Sequence, residues 1–128
     1  CLTLLQRMEH LTAEFPALLN RAAGSEDSLP PVSESVPENL LVYFLFRYPL
    51  KAVNDAQLLA RTQSCLFHVL AIRALHAAGE DGSFDALVKT AGLYSKEVEH
   101  SDDNLALVQD AFENGTISSR FLLSLLHE

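Results

Sequence analysis

The stretch from Leu58 to Leu75 constrains this chain more than any other part of it. Leu58, Leu59, Thr62, Cys65, Leu66, Val69, Ile72 and Leu75 recur at spacings of three and four, which lays them along one face of a helix. A long helix is therefore predicted from Asp55 to about Ala78, with Gly79 as its stop. An apolar face of that length has to be buried against other elements, and the rest of the sequence offers only further helices to do it.

The first helix is expected over about residues 2 to 15, where Leu2, Leu4, Leu5, Met8 and Leu11 stand at helical spacing, with one more turn through Leu18 and Leu19 after Pro16. Residues 24–37 turn to Ser, Glu, Asp and Pro, including Pro30-Pro31, and read as a solvated, flexible loop. Ser35 and Glu38 then stand three apart with Pro37 between them, the residue types of a capping box. The run that follows, Leu40, Leu41, Tyr43, Phe44, Leu45 and Phe46, is apolar on nearly every side. It is expected to be central or to lie under a partner, and Pro49 should end it at Tyr48.

Ser83 is expected to cap a helix whose face is Phe84, Leu87, Val88, Ala91, Tyr94 and Val98. Ser101, Asp102 and Asp103 open another, which carries Leu105, Val108, Ala111 and Phe112 and stops at Asn114-Gly115. A last helical segment follows Ser118, with Phe121, Leu122, Leu123, Leu125 and Leu126. The expected fold class is all-α, an irregular bundle of five or six helices forming one domain over residues 1–128. The chain begins at Cys1 without an initiator Met and goes straight into an apolar helix. It reads as the C-terminal part of a longer protein.

Charge and cysteine usage narrow the partners. The formal net charge is −8, from 17 acidic and 9 basic residues, so the summed field repels phosphate backbones and anionic membrane surfaces. Nucleic acid and membrane are not expected partners. Arg47, Pro49, Arg61 and Arg73 interrupt every apolar run before it nears the roughly 20 residues of a bilayer span. The two cysteines, Cys1 and Cys65, form no disulfide framework, and a reducing, cytoplasmic location is expected.

Few constellations carry chemistry. Glu97 and His100 form a Glu-x-x-His pair, the spacing at which di-metal helical bundles present two ligands to one ion. Such a site needs a second copy and two more carboxylates, so the pair is a weak metal candidate, and no metal is expected. Otherwise His100 lies in a last helical turn beside solvated Glu99, Asp102 and Asp103. His68, His76 and Cys65 share one apolar helix, where packing is the expected role because zinc or iron needs about four ligands.

Arg47, Arg61 and Arg73 could face a groove and bind carboxylates bidentately, or could pair with local acids such as Glu38 or Asp55. Tyr43, Tyr48 and Tyr94 could line a pocket or pack on helix faces. Gly24, Gly79, Gly82, Gly92 and Gly115 make no phosphate-binding loop. A complete catalytic site is not expected within these residues.

Two stretches carry a family resemblance. Glu38-Asn39-Leu40-Leu41-Val42-Tyr43-Phe44-Leu45-Phe46-Arg47 with Lys51-Ala52-Val53 is similar to an acidic residue, aromatic-rich helix and arginine found in flagellin lysine N-methylases. Leu93-Tyr94-Ser95-Lys96-Glu97-Val98-Glu99-His100-Ser101 with Asn104-Leu105 resembles the Tyr-Ser-x-x-x-Glu-His-Ser-x-x-Asn pattern of the same family's C-terminal helical half. The likeness covers roughly residues 36 to 112.

The resemblance implies a bacterial enzyme that moves methyl groups from S-adenosylmethionine to lysines of flagellin, with an iron–sulfur or metal cluster in an N-terminal segment of the full-length protein. This segment itself is expected to bind no cofactor and to be inactive alone. Its implied partners are flagellin and the N-terminal part of its own chain. Arg47, Tyr94, Glu99, His100 and Asn104 fall in the matching motifs, either along a substrate groove or in a buried network joining two helices. The alternative is a non-enzymatic protein-binding or oligomerisation domain of a regulator, with a homodimer formed through Leu40 to Phe46.

Overall fold

The computed structural model describes residues 2–24 and 35–126, and among them every regular element is helical. The elements are α1 (Leu2–Gln6), α2 (Glu14–Gly24), α3 (Ser35–Arg47), α4 (Ala52–Asp55), α5 (Leu58–Ala77), α6 (Phe84–Tyr94), α7 (Asp102–Glu113) and α8 (Ser119–Leu126). A 3₁₀ turn, Pro49–Lys51, precedes α4, and a π-helical turn, Ser95–Glu99, extends α6. The all-α class holds. Of the loop expected over 24–37, residues 25–34 lie outside the described residues, and 35–37 form the first turn of α3. The side chains of Ser35 and Asp55 also lie outside them, so the capping box at Ser35 has no described geometry.

Helix α5 is the axis of the bundle, with α2, α3, α6, α7 and α8 packed around it. Cys65, Phe67, Ala71 and Leu75 on it are fully buried, and Val69, Leu70 and Ile72 nearly so. Burying each large apolar side chain favours the fold by about 1.5–3 kcal/mol. The axis is therefore α5 and not α3, which the sequence placed at the centre or under a partner. Phe44 is fully buried, but Val42, Leu45 and Phe46 are exposed, because only one side of α3 meets α5.

Two boundaries and one buried face differ from expectation. The first helix stops at Gln6, and Pro16 sits in the first turn of α2, where its missing N–H costs nothing. The long helix starts at Leu58 because Ala56 takes left-handed geometry (φ 58°, ψ 19°), ending α4 and turning the chain; Leu58 and Leu59 are consequently exposed. On α6 the buried line is Leu87, Tyr94 and Val98, while Phe84 and Val88 face outward.

The other punctuation behaves as its chemistry dictates. Ser83 accepts from the Ala86 N–H and Ser101 from the Asn104 N–H, both at 3.2 Å. Gly115 (φ +76°) reverses the chain after α7, and the Ile117 N–H returns to the Ala111 carbonyl at 2.9 Å. Among the described residues no helix is long and apolar enough to cross a membrane.

Candidate functional site

The turn Ser95–Glu99 is where the two motif stretches meet. It closes with a bond from the His100 N–H to the Ser95 carbonyl, five residues back, at 3.1 Å. A π-turn holds one more residue than an α-turn, so positions five apart share a side; such turns recur at functional sites. Tyr94 and Glu99 come to one side in this way, and Glu97 faces the other. Both glutamates are buried, at 1% and 7% exposure, which corrects the expectation that Glu99 is solvated.

Glu99 reaches α3. Its Oε2 accepts from the Tyr48 hydroxyl at 2.9 Å and the Tyr43 hydroxyl at 3.1 Å, and pairs with Arg47 Nε at 3.2 Å. Arg47 thus pairs with Glu99, distant in sequence, rather than with the local Glu38; the Asp55 side chain lies outside the described residues. Burial first, then the charge of Glu99, pushes the Tyr48 and Tyr43 phenols above their ordinary value of 10. Both stay protonated and donate. The Arg47 guanidinium lies 5.9 and 5.8 Å from the Tyr43 and Tyr48 ring centroids, within cation–π range. Oε1 of Glu99 has no hydrogen-bond partner among the described residues.

Beneath this carboxylate lies an aromatic stack centred on His68 of α5. Its ring stacks on Phe44 at 5.0 Å, tilts against Tyr48 at 5.4 Å and meets Tyr94 edge-on at 5.8 Å. His68 Nδ1 and the Tyr94 hydroxyl are 2.7 Å apart. Burial lowers the His68 pKa to about 3 and raises that of Tyr94 well above 10, so both are neutral. The hydroxyl has no other acceptor among the described residues, and a buried orphan donor costs about 1–3 kcal/mol. Tyr94 therefore donates to Nδ1, which leaves the proton of the ring on Nε2.

Glu97 and Asn104 hold the segment between α1 and α2. Glu97 accepts from the Leu11 N–H at 2.7 Å and the Thr12 hydroxyl at 2.6 Å. Asn104 accepts from the Glu9 N–H at 3.3 Å and donates to the carbonyls of Glu9 at 2.9 Å and Glu97 at 2.8 Å. The metal pair suggested by spacing is not assembled: Glu97 points inward to these donors, while His100 is exposed. No group of three metal-ligating side chains gathers among the described residues.

A cleft of about 200 Å³ opens beside the stack, with Tyr48, Lys51, Arg61, His68, Asp102 and Gln109 in its lining. The Lys51 ammonium lies 5.7 Å from the Tyr48 ring centroid at its edge.

Of the five motif residues named from sequence, Arg47, Tyr94 and Glu99 belong to this one assembly, Asn104 to the clamp behind it, and His100 to neither. Sequence reasoning missed His68 as the hub, and missed Glu9, Leu11 and Thr12 as the clamped groups. A polar ring inside the apolar face of α5 was the available signal for His68. The backbone groups of residues 9 and 11 leave none. Cys65, buried within α5, has its thiol pushed up to about 11 by burial.

Comparison with known proteins is specific on one point. No curated protein and no solved structure matches the chain. The family model described as "FliB lysine N-methylase C-terminal domain" matches residues 27–125, a span that contains α3, the π-turn, Asn104 and the cleft. The chain belongs to the FliB lysine N-methylase C-terminal domain family.

Proposed function

We propose that this chain is the helical part of an S-adenosylmethionine-dependent flagellin lysine N-methyltransferase, and that it shapes the substrate side of the active site. The family match over residues 27–125 carries the reading. Its support in the geometry is that the match spans a buried carboxylate, Glu99, with one oxygen held by two phenol donors and an ion pair to Arg47, and the other without a partner among the described residues. A fixed carboxylate with a spare acceptor suits an incoming ammonium group.

The chain's own groups do not fit the cofactors of such an enzyme. An iron–sulfur cluster takes four thiolates, whereas the sequence has two cysteines and Cys65 is buried with a raised pKa. The cleft, at about 200 Å³, is smaller than the roughly 300–1,000 Å³ of a cofactor-sized pocket. Methyl donor and cluster would be held by residues outside this segment.

The test is transfer to flagellin by the full-length protein with S-adenosylmethionine, read as methyllysine by mass spectrometry. Glu99→Gln should raise KM for flagellin more than it lowers kcat. Absence of transfer from fully loaded protein would overturn the proposal. A second reading, a protein-binding or oligomerisation module, draws on the exposed Val42, Phe46, Leu50 and Val53 at 51%, 75%, 70% and 88%. Concentration-dependent sedimentation that Phe46→Ser abolishes, without any methyl transfer, would favour it.

A further inference from the structure

The cleft beside His68 has a charge pattern at odds with the rest of the chain. The whole sequence is acidic, with 17 acidic against 9 basic residues, yet the cleft is lined by two cations, Lys51 and Arg61, and one anion, Asp102. At its floor is His68, 1% exposed, whose one hydrogen bond among the described residues is through Nδ1 to Tyr94. Its Nε2 has no hydrogen-bond partner among the described residues, and the side chain lines the cleft. With Tyr94 donating to Nδ1, Nε2 carries the hydrogen and the floor presents a donor.

We infer that this cleft is a binding site for a single carboxylate, received by the Nε2–H of His68 at the floor and the ammonium of Lys51 at the edge. A neutral imidazole donor beside the Lys51 ammonium favours an anion over a free amine. The volume of about 200 Å³ admits a group of amino-acid size and not a nucleotide. The site is distinct from the spare oxygen of Glu99 and does not depend on methyl transfer. Two sources share the chemistry: the α-carboxylate of a free amino acid, and an acidic side chain presented by a protein.

The experiment uses the full-length protein labelled with 15N-histidine, following the His68 ring by NMR. L-Methionine supplies the first source and N-acetyl-aspartyl-N-methylamide the second, with propylamine as the cationic control. One of the two carboxylates should shift the His68 Nε2–H resonance saturably, and whichever does identifies the source. Lys51→Ala, an exposed change that leaves the core intact, should weaken that binding about five- to tenfold, and Asp102→Asn should strengthen it about two- to threefold. The inference is overturned if neither carboxylate moves His68, if propylamine moves it as much, or if Lys51→Ala leaves the affinity unchanged.

Discussion

Glu97 and Glu99, two residues apart on one π-turn, bury their carboxylates against opposite parts of the chain: Glu97 on the Leu11 N–H and Thr12 hydroxyl, Glu99 on Tyr43, Arg47 and Tyr48. One turn of backbone thus ties the segment after α1 to α3. A change on either side of the turn should be felt on the other.

The Glu97 side is pH-dependent. Burial raises its pKa, but the bonds from Thr12 and Leu11 outweigh burial, and the carboxyl ends below its ordinary 4.5. A depressed carboxylate stabilises the fold above the unfolded pKa and loses that contribution as pH falls through the folded value. Protection factors at residues 7–13, corrected for the intrinsic slowing of exchange in acid, should therefore fall below about pH 4.5 in the native protein. In Glu97→Gln the same amides should exchange faster already at pH 7, with no further acid step.

The Glu99 side separates two tyrosines that donate to the same oxygen. Tyr48 is 4% exposed and Tyr43 45%. A hydrogen bond to a charged group is worth about 1.5–3 kcal/mol when desolvated, and much less where water competes. Tyr48→Phe should cost about 1–2 kcal/mol and Tyr43→Phe about 0.5 kcal/mol or less in urea unfolding. Equal costs would mean that the carboxylate is as hydrated at one phenol as at the other.

The helices were legible because their signals are local: Ser83 and Ser101 cap, Pro49 stops α3, and Asn114-Gly115 ends α7. The site was legible only in part. Arg47 and Glu99 could be chosen as candidates, but their pairing depends on an inserted residue in the turn after Tyr94, and the sequence Ser95-Lys96-Glu97-Val98-Glu99 gives no sign of it. Glu99 reads as solvated because a Glu-His-Ser-Asp-Asp run is ordinarily a surface. The left-handed Ala56 is hidden for a similar reason: alanine is a helix former, and tertiary packing overrides it.

His68 makes a second pH prediction, of larger size. A histidine held neutral by burial, with its pKa lowered to about 3, protonates more readily in the unfolded chain. Its contribution is complete above the unfolded value of about 6.5 and is lost as pH falls towards 3, by up to about 1.4 kcal/mol per pH unit. Unfolding free energy should drop steeply between pH 6 and 4, and the His68 ring should remain neutral by 15N NMR throughout that range. Protonation of the folded ring near pH 6 would show that the stack on Phe44 and Tyr48 is open to water.

Ala56 supplies a prediction of opposite sign. Its φ of 58° places Cβ against the carbonyl oxygen, a cost of roughly 1–2 kcal/mol for an L-residue. Glycine removes that clash but adds about 0.5–1 kcal/mol of backbone entropy to the unfolded chain. The difference favours Ala56→Gly by about 0.5–1 kcal/mol, a rise of about 2–4 °C in Tm. Ala56→Val should destabilise by more than 1 kcal/mol, since a β-branched side chain tolerates this region least. A glycine variant with a lowered Tm would mean that the bond from the Ala56 N–H to the Ala52 carbonyl, 2.8 Å long, is kept only because alanine restricts the hinge between α4 and α5. Thermal melts of the two variants side by side distinguish these outcomes, because relief of strain raises Tm for glycine alone whereas loss of the hinge lowers it for both.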